Sequence, residues 1–127
     1  MIIPDTSIWI EFLRREEPVF SELRSFLERG DVMGLAWIFG ELLQGARDTQ
    51  EVSVILGFWE SVNHIPAPDL NSIWIEAGTL SHKGKLFSKG IGLIDCAILA
   101  ASRKTKAKLW TLDQKLLRTI PAELRYE

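Results

Sequence analysis

The chain has 127 residues, 46% of them hydrophobic and 25% charged, with a formal net charge of −2. This composition excludes a disordered chain and predicts one domain over residues 1–127. One cysteine and two histidines exclude an internal disulfide and a Cys/His zinc site, and they favour a reducing, cytoplasmic location. We see no leader segment and no apolar run near the roughly 20 residues that span a bilayer, so we expect no membrane contact.

The predicted elements alternate between short apolar strands and helices. Proline and glycine mark several boundaries, and Thr6 or Ser7 is the expected N-cap of the first helix. In chain order we predict strand 2–4, helices 7–15 and 18–29, strand 32–35, helices 38–47 and 51–60, strand 62–65, a long helix capped by Asp69 or Asn71 and ending near Leu80, helix 93–106, strand 108–112, helix 114–119 and an edge strand 124–126.

Short, uniformly apolar strands between helices are typical of a sheet that is covered on both faces. The alternation of strand and helix favours parallel pairing. We therefore predict an α/β protein: a three-layer α/β/α sandwich with a short, mostly parallel sheet.

Four acidic residues fall at predicted strand ends and helix starts. Asp5 and Asp113 directly follow strands, and Asp95 lies in the first turn of a helix. Glu41 lies on the helix after the second strand and can reach the same edge. Ligands of open α/β sheets bind at the carboxyl ends of the strands, so we expect these acids to form one site.

Clustered carboxylates repel one another, and a divalent cation relieves that repulsion. Mg²⁺ and Mn²⁺ prefer oxygen ligands, and such ions support phosphodiester hydrolysis by activating water and stabilising the leaving oxygen. Taken singly, each acid has a plainer explanation. Asp5 is then a turn residue, Glu41 a solvated helix residue, Asp95 an acid favoured by the helix dipole, and Asp113 an N-cap.

The charge is unevenly distributed. Residues 1–63 carry five arginines and eleven acids, whereas residues 64–127 carry ten basic and six acidic residues. The basic side chains of the second half could hold a phosphate backbone, although a solvated helix face is the plainer explanation for any one of them. Most of that charge comes from Lys83, Lys85, Lys89, Arg103, Lys104, Lys106 and Lys108.

Four segments resemble the motifs of PIN-domain nucleases, and their order along the chain extends the resemblance over essentially its whole length. Their length and placement are most similar to VapC-type toxins of toxin–antitoxin pairs. Pro4 before the first acid and Leu116-Leu117 after the last depart from the family pattern without removing a carboxylate. The segments are Asp5-Thr6-Ser7-Ile8-Trp9-Ile10, Glu41-Leu42-Leu43-Gln44-Gly45, Leu93-Ile94-Asp95-Cys96-Ala97-Ile98-Leu99-Ala100-Ala101 and Leu109-Trp110-Thr111-Leu112-Asp113.

The resemblance implies a PIN-like fold, an endoribonuclease dependent on Mg²⁺ or Mn²⁺, a homodimer and an inhibitory antitoxin protein. It implies that Asp5, Asp95 and Asp113 bind the metal and that Glu41 completes the catalytic set. It also gives the hydroxyls of Thr6, Ser7 and Thr111 supporting roles, with helix capping and strand polarity as the alternative.

Three other functions stay open from the sequence. A phospho-receiver domain is similar in size and acidity, but it would need adjacent acids after the first strand, where Asp5 is followed by Thr6 and Ser7. A binding module without catalysis is the second, and the presence of all four acids disfavours it. A PIN nuclease of RNA maturation, without a toxin role, is the third.

Overall fold

The computed structural model describes the whole chain, residues 1–127. Four short strands alternate with seven α-helices and two single 3₁₀ turns. The strands are β1 (Ile2–Pro4), β2 (Met33–Gly34), β3 (Asn63–His64) and β4 (Lys108–Trp110). The helices are α1 (Thr6–Leu13), α2 (Val19–Glu28), α3 (Ala36–Gln44), α4 (Thr49–Ser61), α5 (Ala67–Gly84), α6 (Leu93–Thr105) and α7 (Gln114–Thr119). The 3₁₀ turns are Phe87–Lys89 and Ala122–Leu124.

Every strand pairing in the sheet is parallel. Strand β1 pairs with β4, and β2 pairs with β3. A bridge between Ile2 and Val32 joins the two pairs, and a bridge between Leu109 and Arg125 adds the last segment of the chain. The spatial order is therefore β3-β2-β1-β4, followed by Arg125. This confirms the predicted parallel sheet, with 124–126 contributing a single bridge.

Helices cover both faces of this sheet. Successive side chains of a strand point to opposite faces, and all three residues of β1 are buried. Helices α1, α3 and α4 pack in series with α2 against α1, while α5 packs along α6 as a second group. The predicted α/β/α arrangement is confirmed, and its core includes the fully buried Ile3, Ile8 and Leu109.

Helices α5 and α6 run antiparallel. Ser81, late in α5, lies close enough to the thiol of Cys96, early in α6, to lower its pKa. Earlier in α5, Glu76 pairs with Arg103, near the end of α6. Because α6 leads directly into β4 and packs on it, α6 begins at the carboxyl edge of the sheet. The loop from α5 to α6 therefore lies at that same edge.

The predicted N-caps of two helices were wrong. Helix α1 is capped by Asp5, whose side chain accepts a hydrogen bond from the Ile8 amide, and neither Thr6 nor Ser7 has this role. Helix α5 begins earlier than expected, with Pro66 at the N-cap and Pro68 in the first turn, where the fixed φ of proline suits a helix, and it continues to Gly84 instead of ending near Leu80. None of the helices is both long and apolar enough to cross a membrane.

Candidate metal centre

The four candidate acids are held at the carboxyl edge of the sheet. Asp5 directly follows β1, and Asp113 follows β4 as the N-cap of α7. Asp95 lies in the first turn of α6. Glu41 is exposed on α3, the helix that follows β2. The fold thus brings together side chains that lie up to 108 positions apart in the sequence.

Asp5 is the buried centre of this edge, with 6% of its surface exposed. Its Oδ1 accepts hydrogen bonds from Ser7 Oγ, at 2.5 Å, and from the Ile8 amide, at 3.2 Å. Its Oδ2 accepts a hydrogen bond from Thr111 Oγ1. Burial raises the pKa of Asp5, and the bonds from Ser7, Thr111 and the backbone partly offset that rise.

Two hydroxyl groups tie Asp5 to the loop after β4. Ser7 Oγ accepts a hydrogen bond from the Leu112 amide while it donates to Asp5. Thr111 Oγ1 accepts one from the Asp113 amide while it donates to the other Asp5 oxygen. Each hydroxyl therefore uses both of its hydrogen-bonding roles, so the orientation of the carboxylate is fixed by two strand ends at once.

Asp95 is half-buried and crowded by negative charge. Desolvation raises its pKa, and the carboxylates of Asp113, Asp5 and Glu41 raise that pKa further. The other three acids are thus all close enough to act on Asp95. No lysine or arginine forms a salt bridge with any of them, so the repulsion is not compensated within the chain.

Uncompensated carboxylate oxygens are suitable ligands for a hard divalent cation. As the side chains stand, however, no three His, Cys, Asp or Glu groups are close enough to ligate one ion. The two observations agree, because charge acts over longer distances than a metal–oxygen bond. Asp113 uses Oδ1 to cap α7, with bonds from the Lys115 and Leu116 amides, which leaves its Oδ2 available. The chemistry of the donor set fits a cation, and the carboxylates would have to move towards one another to ligate it together.

Thr6 has a different setting from the other two hydroxyl residues. Its side chain makes no hydrogen bond to the acids, whereas those of Ser7 and Thr111 do. Thr6 instead lines a small cleft of about 170 Å³ beside Glu41. Arg14, at the end of α1, lines the same cleft and forms no salt bridge.

The family model described as the PIN domain matches residues 2–120. The chain belongs to the PIN-domain family. PIN domains are generally nucleases, and generally metal-dependent ones, which agrees with a cluster of unpaired carboxylates and decides against a phospho-receiver domain. No curated protein matches the chain significantly.

The basic residues expected to hold phosphate are divided between two ends of this PIN domain. Lys83, Lys85 and Lys89 belong to the end of α5 and the loop at the acidic edge. The other four, Arg103, Lys104, Lys106 and Lys108, lie at the opposite edge, where α6 ends and β4 begins. The sequence analysis missed Lys115, whose Nζ lies 3.4 Å from where a Cβ on Gly90 would stand. Its position two residues after Asp113 was the available signal.

Proposed function

We propose that this PIN domain is an endoribonuclease that hydrolyses RNA phosphodiester bonds with the help of Mg²⁺ or Mn²⁺. The observation that supports the proposal most is the crowding of Asp95 by three carboxylates, none of the four acids being in a salt bridge. Asp5, Asp95 and Asp113 would hold the cation. A bound divalent cation would activate water and stabilise the leaving oxygen.

The residues of the chain have separate roles in this proposal. Asp5 is oriented by Ser7 and Thr111, so it would present fixed oxygens at little entropic cost. Asp95 and Asp113, being less enclosed, would adjust to the ion. Glu41 is exposed beside a cleft and would position the attacking water and accept its proton.

The similarity of the motifs to VapC-type proteins further supports a toxin role, with a homodimer and an antitoxin protein in the cytoplasm. One surface is suited to such a partner: a groove of about 770 Å³ between α1, α2 and α4. Phe12, Phe20 and Phe58 line it, and its charged lining carries three arginines and three acids. The groove would take the apolar face of an amphipathic helix of the antitoxin.

Val54 offers a direct test of this partner, since it lines the groove with 45% of its surface exposed. Val54→Arg should abolish capture of the protein encoded immediately upstream while leaving RNA cleavage intact. A nuclease of RNA maturation is the second candidate. The absence of a short reading frame upstream, together with harmless expression of the chain alone, would favour that candidate over a toxin.

The experiment for the main proposal is cleavage of a labelled tRNA pool by the purified protein with Mg²⁺, Mn²⁺ or EDTA. Asp95→Asn should lower the rate by more than about 100-fold, because it removes a ligand of the cation and loss of a group that merely orients such a ligand already costs about 10- to 100-fold. Asp69→Asn is the matched control, because Asp69 pairs with Lys104 at the other end of α6. Equal cutting by all three proteins would indicate a contaminant. If antitoxin-free protein cuts no RNA, the ribonuclease proposal is contradicted and a binding module without catalysis is favoured.

A further inference from the structure

Phe87 is the most exposed large hydrophobic side chain of the protein, with 85% of its surface accessible. It lies in the 3₁₀ turn between α5 and α6, whose Leu86 is buried and anchors the turn to the core. Hydrogen bonds from the Lys89 and Ile91 amides to the Leu86 carbonyl keep the turn compact. The ring is therefore presented to solvent by an ordered segment.

The turn that presents Phe87 also presents positive charge. Lys85 and Lys89 stand on either side of the ring in sequence, and both are exposed. The Lys115 side chain, from α7, passes over Gly90 of the same loop. None of these three lysines forms a salt bridge. The acidic edge is thus bordered by an aromatic ring among free cations.

An exposed aromatic ring among free lysines is the arrangement that binds single-stranded nucleic acid, with the ring stacking on a base and the cations contacting phosphates. The cations are needed here because the carboxylates beside them repel RNA. A second copy of this chain is a poorer occupant, since two-fold pairing through Phe87 would bring the same lysines face to face. The charge therefore favours a polyanion over another copy.

We propose that Phe87 stacks on a base of single-stranded RNA beside the scissile phosphate, while Lys89 and Lys115 contact the neighbouring phosphates. This inference rests on the proposed ribonuclease function and names the form of its substrate. Phe87 is a positioning residue in this proposal and takes no part in proton transfer.

The test measures binding of a fluorescent random-sequence RNA of about 12 nucleotides, which is within the size of common single-strand sites. Asp95→Asn serves as the parent protein so that the RNA stays intact. Adding Phe87→Ala should weaken binding by about tenfold to a hundredfold, the cost of losing one stacked base. Phe87→Trp should restore it. Ile75→Ala, at a site that is 75% exposed on α5, is the matched apolar control and should change nothing.

Salt dependence tests the lysines separately. Lys89→Gln should reduce the slope of log Kd against log salt by about 0.7, the value for one phosphate contact with a single strand. Lys106→Gln, at the opposite edge, should leave the slope unchanged. A duplex of the same length should be insensitive to Phe87→Ala, because its bases are already stacked.

Three results would overturn the inference. The first is unchanged single-strand binding after Phe87→Ala, and the second is no binding by the parent protein at all. The third is a change in sedimentation with Phe87→Ala while RNA binding is kept, which would make the ring a protein interface. If metal-dependent cleavage is the same with and without Phe87→Ala, the stacking proposal is wrong and the ribonuclease proposal stands. If RNA binding depends on Phe87 but the wild-type chain cuts no RNA, the ribonuclease proposal is wrong and the stacking proposal stands.

Discussion

The charged residues at the two edges of the sheet differ in how many find a partner within the fold. At the amino edge, where β4 begins, Arg103 pairs with Glu76, Lys104 pairs with Asp69, and the Lys108 ammonium donates to the Glu123 carbonyl, whereas Lys106 has no ion pair. At the carboxyl edge, four acids and four lysines lie without a salt bridge.

Charged side chains that form ion pairs within the fold are already neutralised by a partner. Charged side chains without such a partner are available to bind a ligand. This difference indicates where ligands bind. Carboxylates that repel one another destabilise the fold, so a cluster of them points to a functional site. Stability measurements on variants of the two edges can therefore separate structural from functional charge.

The largest expected effect on stability is that of a divalent cation on the wild-type protein. At a hundredfold excess over its Kd, Mg²⁺ should raise the free energy of unfolding by about 2.7 kcal/mol. Asp95→Asn should lose most of this gain, because it removes a ligand from the acidic edge. Asp69→Asn should keep the gain. Urea denaturation with Mg²⁺ and with EDTA measures both.

In EDTA, Asp95→Asn should raise the free energy of unfolding, whereas with Mg²⁺ bound it lowers it. The pKa of Asp95 is raised, so the folded state binds the proton more tightly than the unfolded state does, and stability falls as the pH rises through that pKa. At neutral pH the ionised group is therefore unfavourable. Asp95→Asn should stabilise the metal-free protein by up to about 1 kcal/mol, a small value because solvent screens a half-exposed group. A loss of stability in EDTA would contradict the repulsion argued for this edge.

The next effect compares two buried hydroxyl groups, one at each edge. Thr111 donates to Asp5 at the carboxyl edge, and Ser102 donates to the Ala107 carbonyl at the amino edge. Thr111→Val should cost about 2 kcal/mol, because it leaves a buried carboxylate oxygen and the Asp113 amide without partners. Ser102→Ala should cost about 1 kcal/mol.

Cleavage distinguishes the two hydroxyls more sharply than stability does. Thr111→Val should lower the rate about 10- to 100-fold, as loss of a group that orients a metal ligand does. Ser102→Ala should leave the rate of the folded protein unchanged. Rates are compared well below both melting temperatures. An equal loss of rate in both variants would mean that the Thr111–Asp5 hydrogen bond matters to cleavage no more than any other buried hydrogen bond.

Much of this arrangement follows from local pattern. The apolar run Ile2–Pro4 forms the predicted strand, and the acids follow strands or begin helices as expected. Those features depend on neighbours in sequence. The pairing between Thr111 and Asp5 depends on β4 lying beside β1, across 106 positions, so no local signal reports it.

The division of the basic residues was also beyond the sequence. Seven basic residues look alike along the chain, yet the antiparallel packing of α5 on α6 gives Arg103 and Lys104 acidic partners and leaves Lys85 and Lys89 without them. Similarly, Asp5 became the cap of α1 because burial forces its oxygens to find donors, and the Ile8 amide is one within reach.

The smallest expected effect belongs to the paired cations of the amino edge. In the Lys104–Asp69 pair, 36% and 42% of the two side-chain surfaces are exposed, and in the Arg103–Glu76 pair 51% and 36% are. Solvent screens pairs of this kind, so Lys104→Gln or Arg103→Gln should change the free energy of unfolding by less than about 0.5 kcal/mol. RNA cleavage and its salt dependence should also stay as in the wild type, because these cations lie at the end of α6 remote from Asp95. Cleavage kinetics at two salt concentrations, beside Lys89→Gln, decide the point. If Lys104→Gln weakened RNA binding more than Lys89→Gln, the substrate would cross the amino edge, and pairing within the fold would no longer identify a structural charge.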